Sequence, residues 1–201
     1  MRNDISRRSV VAGLLSGTAV MALAGPASAL NTAQARDLIG RLVNEINRVI
    51  NSGESENRMF GDFERIFAKY ADVPVIARSA LGVAARRANR AQMNAFTTAF
   101  RGYISRKYGK RFREFIGGEI EVTGARPVKS FYEVTSIAKL RGEAPFDLRW
   151  HVSDKSGRDL FFNIIIDGVN MLATERTEIG AMLDKRRGNL DALISDLKTA
   201  G

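Results

Sequence analysis

Few side chains in this sequence are equipped for bond-making chemistry. Its 201 residues contain no cysteine and a single histidine, His151. The missing cysteine removes thiol nucleophiles, thiolate metal ligands and disulfides together, so packing alone must hold the fold. His151 lies in the alternating run Phe146 to Ser153, on the polar side with Asp147, Arg149 and Ser153. It reads as a surface histidine, with no second histidine and no evident carboxylate to orient it as a base. Asp154 and Asp159 flank the turn Ser156-Gly157 and are placed to face one another. A paired-carboxylate hydrolase is the chemistry that would imply, against the plainer reading of two solvated turn acids. No GxGxxG, Walker A, HExxH or EF-hand loop occurs, and Gly117-Gly118 and Gly168 read as punctuation between elements. The expectation is a protein that is not an enzyme, with no catalytic residue, no metal ligand set and no cofactor.

The elements that would position any site divide into a helical first half, a sheet and a helical tail. From Thr32, Ala35, Leu38, Ile39, Leu42, Val43, Ile46, Val49 and Ile50 recur at spacings of three and four, which predicts an amphipathic helix ending near Gly53. Met59, Phe60, Phe63, Ile66, Phe67 and Tyr70 form a second, unusually aromatic stripe. Asp72-Val73-Pro74 stops it and starts a short helix through Leu81-Gly82. Asn89 caps a third stripe of Met93, Phe96, Phe100, Tyr103, Ile104 and Tyr108, broken by Gly117-Gly118. The period then changes to two. Ile120 and Val122 alternate with acids, Phe131 to Arg141 is rich in β-formers, and Phe146, Leu148, Trp150 and Val152 put one greasy face on a strand. Leu160, Phe162, Ile164 and Ile166 continue the meander. Asp167-Gly168 ends it, and two helices follow at about Ala173 to Lys185 and Leu190 to Thr199. The fold class is α+β: a twisted antiparallel sheet of about four strands, packed against an N-terminal helical layer and two C-terminal helices.

The N-terminus predicts export. Arg2, Arg7 and Arg8 precede an uncharged run from Ser9 to Leu23, then Gly25-Pro26 and the triplet Ala27-Ser28-Ala29. That order reads as a signal peptide of residues 1–29 cut between Ala29 and Leu30. The pair Arg7-Arg8 and an h-region diluted by Gly13, Ser16, Gly17 and Thr18 suit the Tat route better than Sec. The run is too short and too polar for a membrane anchor. The remaining 172 residues, 30–201, read as a single domain with 28 Lys+Arg against 21 Asp+Glu. Both signs are interspersed, which describes a solvated surface, and no motif of nucleic-acid binding accompanies the charge.

What stands out is the supply of large apolar side chains facing one another across helices and sheet. Periodicity alone fits a filled core as well as a lined cavity, and composition alone favours the core.

The tail carries a resemblance. Ile166-Asp167-Gly168-Val169-Asn170-Met171, Arg176, Ile179, Met182-Leu183, Gly188, Leu190-Asp191, Leu193-Ile194 and Leu197 resemble the end of the MlaC, or toluene-tolerance, family. The match extends through Phe131-Tyr132-Glu133-Val134, Phe96 to Tyr103 and Phe67 to Arg78. Glu175 stands where the family usually has Tyr, and Ile179 where it has Phe. The resemblance implies a periplasmic carrier that holds phospholipid acyl chains in an apolar cavity between sheet and helices. Its implied partners are an outer-membrane lipoprotein complex and an inner-membrane MCE/ABC transporter, in a system maintaining outer-membrane lipid asymmetry. A hopanoid or other apolar lipid as cargo, or a periplasmic adaptor with a filled core, are the alternatives. Carried onto this chain, the expected cavity lining is Phe63, Phe67, Ile76, Phe96, Phe100, Tyr103, Ile104, Val134, Leu148, Trp150, Phe162, Ile164 and Val169, with bound lipid as the only non-protein component.

Overall fold

The computed structural model describes residues 30–109 and 114–201; the expected signal peptide lies outside them. The first helix, α1 (Thr32–Ile50), starts on a capping box. Asn31 accepts from the Gln34 amide at 3.0 Å, and the Gln34 side chain accepts from the Asn31 amide at 2.9 Å. Its apolar stripe from Ala35 to Ile50 is buried as the spacing requires. Helix α2 (Glu56–Tyr70) buries Met59, Phe63, Ile66 and Tyr70. Asp72 caps α3 (Val73–Leu81) through the Val75 amide at 3.3 Å, with Pro74 in the first turn where a missing N–H costs nothing. A 3-10 turn, Gly82–Arg86, leads to α4 (Arg90–Gly109).

The sheet is an antiparallel meander of five strands in sequence order: β1 (Glu119–Val128), β2 (Phe131–Lys139), β3 (Phe146–Ser153), β4 (Leu160–Ile166) and β5 (Val169–Asn170). The fifth strand is two residues long and was not evident in the alternation. It arises because Asp167 (φ 47) and Gly168 (φ 79) both take the left-handed conformation that a tight two-residue hairpin turn demands, so the chain folds back on β4 where the sequence pointed only to a strand end. β1 forms the other edge and includes Pro127, opposite Tyr132, which has no N–H to offer a further strand. Asn170 and Asn189 then cap α5 (Met171–Lys185) and α6 (Leu190–Leu197) through the amides of Ala173 and Ala192.

The pairing is irregular at two places, between Val122 and Gly124 in β1 and, nearer the helices over β4, in β4 itself. His151 pairs with Asn163 but Val152 pairs with Phe161, which leaves Phe162 as the extra residue of a β-bulge. The expected alternation Leu160, Phe162, Ile164, Ile166 therefore does not hold across the strand. Ile164 and Ile166 lie opposite Trp150 and Leu148 as predicted, but beyond the bulge Phe161 takes the inner place, its ring 5.5 Å from Trp150 in an edge-on contact.

The inner face of the sheet is covered unevenly. α1 packs across β1, β2 and β3, whereas α3 and α5 pack on β4. α4 meets α2, α3 and α6 instead, so its aromatic stripe stabilises contacts between helices. Phe96 and Phe100 stack with centroids 5.7 Å apart and are wholly buried there. Trp150 is also buried, and its indole N–H donates to Ser136 Oγ at 3.2 Å, which removes the cost of burying that donor. Because Phe100 sits in filled core, Phe100→Ala is expected to destabilise the protein by about 3 to 5 kcal/mol. Urea unfolding followed by circular dichroism would measure it.

Candidate functional site

Where the helices converge over β4, the packing leaves a cavity of about 180 Å³. Leu42 and Ile46 of α1, Phe63, Ile66 and Phe67 of α2, and Ile76 of α3 form one side. Ile104, Ser105 and Tyr108 of α4 and Met171, Leu172 and Glu175 of α5 form another, and Trp150 with Phe161, Phe162, Asn163, Ile164 and Ile166 form the sheet wall. An apolar enclosure with a few polar groups at one place is the usual make-up of a small-molecule site.

The polar groups converge where α4 and α5 meet. Glu175 is 3% exposed. One of its oxygens, Oε1, accepts from Lys107 Nζ at 2.7 Å and from the Tyr108 hydroxyl. Lys107 also donates to Glu178, and the Tyr103 hydroxyl donates to Glu178 Oε2 at 2.9 Å. Asn163 Oδ1 accepts from the Leu172 amide at 3.2 Å, fixing the start of α5 against β4. No group of three or more His, Asp or Glu able to hold a metal ion occurs among the described residues.

The sequence pattern of the MlaC protein family matches residues 40–199. The chain belongs to the MlaC family. Its fold is similar to that of a phospholipid-binding protein from Ralstonia solanacearum, solved in complex with a phospholipid. The TM-score is 0.68 at 18% identity, over 81% of this chain and 98% of that one.

In this MlaC-family protein, Phe63, Phe67, Ile76, Ile104, Trp150, Phe162 and Ile164 line the cavity among the residues singled out in the sequence. Phe96, Phe100 and Tyr103 do not, because α4 turns that part of its stripe toward other helices. Val134 and Leu148 are buried on the part of the sheet that α1 covers, and Val169, in the short β5, is 54% exposed. The remaining lining residues escaped the sequence reading for separate reasons. Leu42, Ile46 and Ile66 were visible as helix stripe but not as wall. Phe161 enters only through the bulge, and Glu175 is placed by Lys107 and Tyr108, 68 and 67 residues earlier in the chain.

His151 is a correction to the surface reading. It lies on the opposite face of β3 between the rings of Phe131 (4.5 Å) and Phe162 (5.8 Å). Glu133 is the carboxylate that the sequence did not reveal: its Oε2 is 3.5 Å from His151 Nε2, while Oε1 accepts from Arg126 at 2.6 Å. Asn163 lies 3.5 Å from the other ring nitrogen, so both nitrogens face structural partners. Burial pulls the His151 pKa below its ordinary value, against the opposing pull of Glu133. Asp154 does not pair with Asp159; its Oδ2 accepts from the Leu30 amide at 3.1 Å.

The ionic network makes stability pH-dependent at both ends. Burial raises Tyr103 to about 12, helped by the negative charge of Glu175 and the bond to Glu178. Burial would lower Lys107, but its bonds to Glu175 and Glu178 prevail and raise it to about 12. Burial, with the bond to Glu175, also raises Tyr108. These raised groups contribute stability below about pH 10 that is lost as the pH climbs toward 12. In the other direction, burial would raise Glu133 and Glu178, but Arg126 and Lys107 respectively override it and hold both below the usual 4.5. Their contribution is present above that value and lost as the pH falls through the lowered ones, and His151, lowered from 6.5, adds a loss that begins below its ordinary value. The denaturation midpoint is therefore expected to be flat from about pH 7 to 9.5 and to fall on both sides. In His151→Gln the acid limb should begin at lower pH.

Proposed function

We propose that this protein is a periplasmic carrier of phospholipid, holding acyl chains in the cavity over β4. The observation that carries the proposal is that cavity: a half-open space, walled almost wholly by apolar side chains, in a chain of the MlaC family. The phospholipid bound to the Ralstonia solanacearum protein of the same fold supports it. So does energetics. Each methylene is worth about 0.8 kcal/mol against water, and two acyl chains with on the order of 30 methylenes would lose roughly 24 kcal/mol if exposed, so a soluble carrier must hide nearly all of both.

At about 180 Å³ the cavity is close in size to an engineered void of about 150 Å³ that holds benzene, and below the roughly 300 Å³ at which ligand pockets begin. Loading a lipid therefore requires α3 and α5, the helices that pack on β4, to move away from it. The acyl chains lie against Phe63, Phe67, Ile76, Ile104, Trp150, Phe162 and Ile164, and the headgroup stays at the mouth in water. The protein performs no chemistry on its cargo. It receives lipid from, or delivers it to, an outer-membrane lipoprotein complex and an inner-membrane MCE/ABC transporter.

Export with removal of residues 1–29 belongs to the same proposal. Leu30 is 5% exposed and its nitrogen already donates to Asp154 Oδ2. Cleavage between Ala29 and Leu30 turns that nitrogen into an ammonium and strengthens the bond with charge. N-terminal sequencing of the periplasmic protein is expected to begin at Leu30. Asp154→Asn should destabilise this processed form by up to about 1 kcal/mol, the range of an exposed ion pair, and the unprocessed form less.

Solvent extraction of the purified protein followed by mass spectrometry is expected to give stoichiometric phospholipid. A clean extract, with no uptake from phospholipid vesicles, would sink the carrier reading in favour of an adaptor. Ile164→Trp should reduce bound lipid while costing the lipid-free protein less than the roughly 1 to 3 kcal/mol that overpacking a filled core exacts.

A further inference from the structure

Between Asp72 and Glu114 the sequence carries no acidic residue and ten basic ones, so the mixing of signs that holds elsewhere fails over this stretch. Some of these cations are engaged inside the fold. Arg101 donates to Glu64, Arg106 to the Leu197 and Ala200 carbonyls, and Lys107 to Glu175 and Glu178. Arg78 of α3, Arg86 and Arg87 at the end of the 3-10 turn and Arg90 at the start of α4 are different. They are exposed, and their side chains make no hydrogen bond or ion pair among the described residues. Of the four exposed large apolar side chains among the described residues, two stand in the same stretch: Val75, 40% exposed, and Val83, 61% exposed.

Local geometry sets valine beside arginine twice. Val75 and Arg78 are three residues apart on α3, whose other side buries Ile76, Ala77, Ala80 and Leu81. Val83 and Arg86 are three apart on the 3-10 turn, where side chains at that spacing eclipse, and Ala85 takes the buried place between them. Gly82 joins the two segments at a φ of 63. A further exposed arginine without an ion pair among the described residues, Arg176 of α5, lies against that joint, its Nε 3.2 Å from where a Cβ on Gly82 would stand.

We infer that the outer side of α3 and the 3-10 turn, with Arg176 of α5, docks onto the surface of an anionic phospholipid bilayer. The guanidinium groups meet lipid phosphates, and the valines between them enter the boundary of the acyl region. An acidic protein surface fits this face less well. No aromatic residue occurs between Tyr70 and Phe96 to serve as the anchor that carries most protein interfaces, whereas unpaired cations mixed with small apolar side chains suit a surface of charge and hydrocarbon without a fixed pattern. The use of the docking rests on the carrier reading, in which α3 and α5, the helices that carry Arg78 and Arg176, are those that move off β4 to admit lipid.

Flotation of the purified protein with vesicles tests the inference. Vesicles of phosphatidylcholine with roughly one-third phosphatidylglycerol are expected to bind it at least about tenfold more tightly than phosphatidylcholine alone, and the difference should fade as salt rises to about 0.5 M. Each cation near such a surface is worth roughly fivefold, so Arg78→Gln with Arg86→Gln should weaken binding roughly twenty-fivefold. Neither side chain has a partner within the fold, so thermal melting of that variant should be unchanged. Arg36→Gln with Arg41→Gln removes the same charge from exposed positions of α1 and should cost less than about threefold. Val75→Ser with Val83→Ser should lose roughly three- to tenfold with no change of charge. Equal losses from the two arginine pairs would reduce the effect to net charge and overturn the assignment to this face. Absence of binding to the anionic vesicles would overturn the membrane as partner and leave the face to an acidic protein. Stoichiometric phospholipid on extraction, in protein that does not float with vesicles, would remove the docking face alone. Flotation by protein that neither yields nor takes up lipid would remove the carrier reading and leave the face.

Discussion

The structure turns on one unmet requirement: a five-stranded sheet presents a broad apolar face, and no single helix is wide enough to cover it. α1 seals β1 to β3 with a regular stripe. Over β4 the cover is shared by α3 and α5, with side chains of α1, α2 and α4 also reaching the cavity, and they do not close over it. Cavity and core are thus the two outcomes of the same burial, separated by whether one helix or several lie above the strand. The residue types are alike in both regions, which is why Phe63 faces space while Phe100, of the same type, is packed on all sides.

That likeness also marks how far the sequence could be read. Helix and strand placement followed from spacing: the stripes of α1 and α2, the cap Asn89, and the alternation through Phe146 to Val152 all appear where the pattern put them, whereas the caps Asn31 and Asn170 were not singled out. What spacing cannot supply is the neighbour on the far side of a stripe. Phe96, Phe100 and Tyr103 were legible as buried but not as facing other helices. The bulge at Phe162 was illegible for a different reason: Phe161 and Phe162 are the same residue type, so no change of pattern marks which of them turns inward. Glu133 and Glu175 are charged residues whose burial depends on cations and hydroxyls contributed by other elements, and a one-dimensional reading gives such residues to solvent.

The site joins two kinds of physics that normally exclude each other. Its walls supply non-directional burial, indifferent to the identity of a hydrocarbon. At one point a carboxylate is held inside by Lys107 and Tyr108, with Tyr103 and Glu178 extending the network toward the surface. The network binds α4 to α5.

A protein that uncovers its sheet to admit cargo, as the proposed lipid carriage requires, would be exposed to a hazard that a permanently closed fold avoids. While helices stand away from β4, a greasy sheet face and the unpaired backbone of its borders would be open together, the combination from which stacked β aggregates grow. One border is short, since β5 offers only Val169 and Asn170. The other, β1, is ten residues long, and there Pro127 interrupts the row of donors while Glu119, Glu121 and Arg126 place charges along the strand. Pro127 and these charges keep the long edge, far from the cavity, from offering an unbroken row of donors to a second molecule.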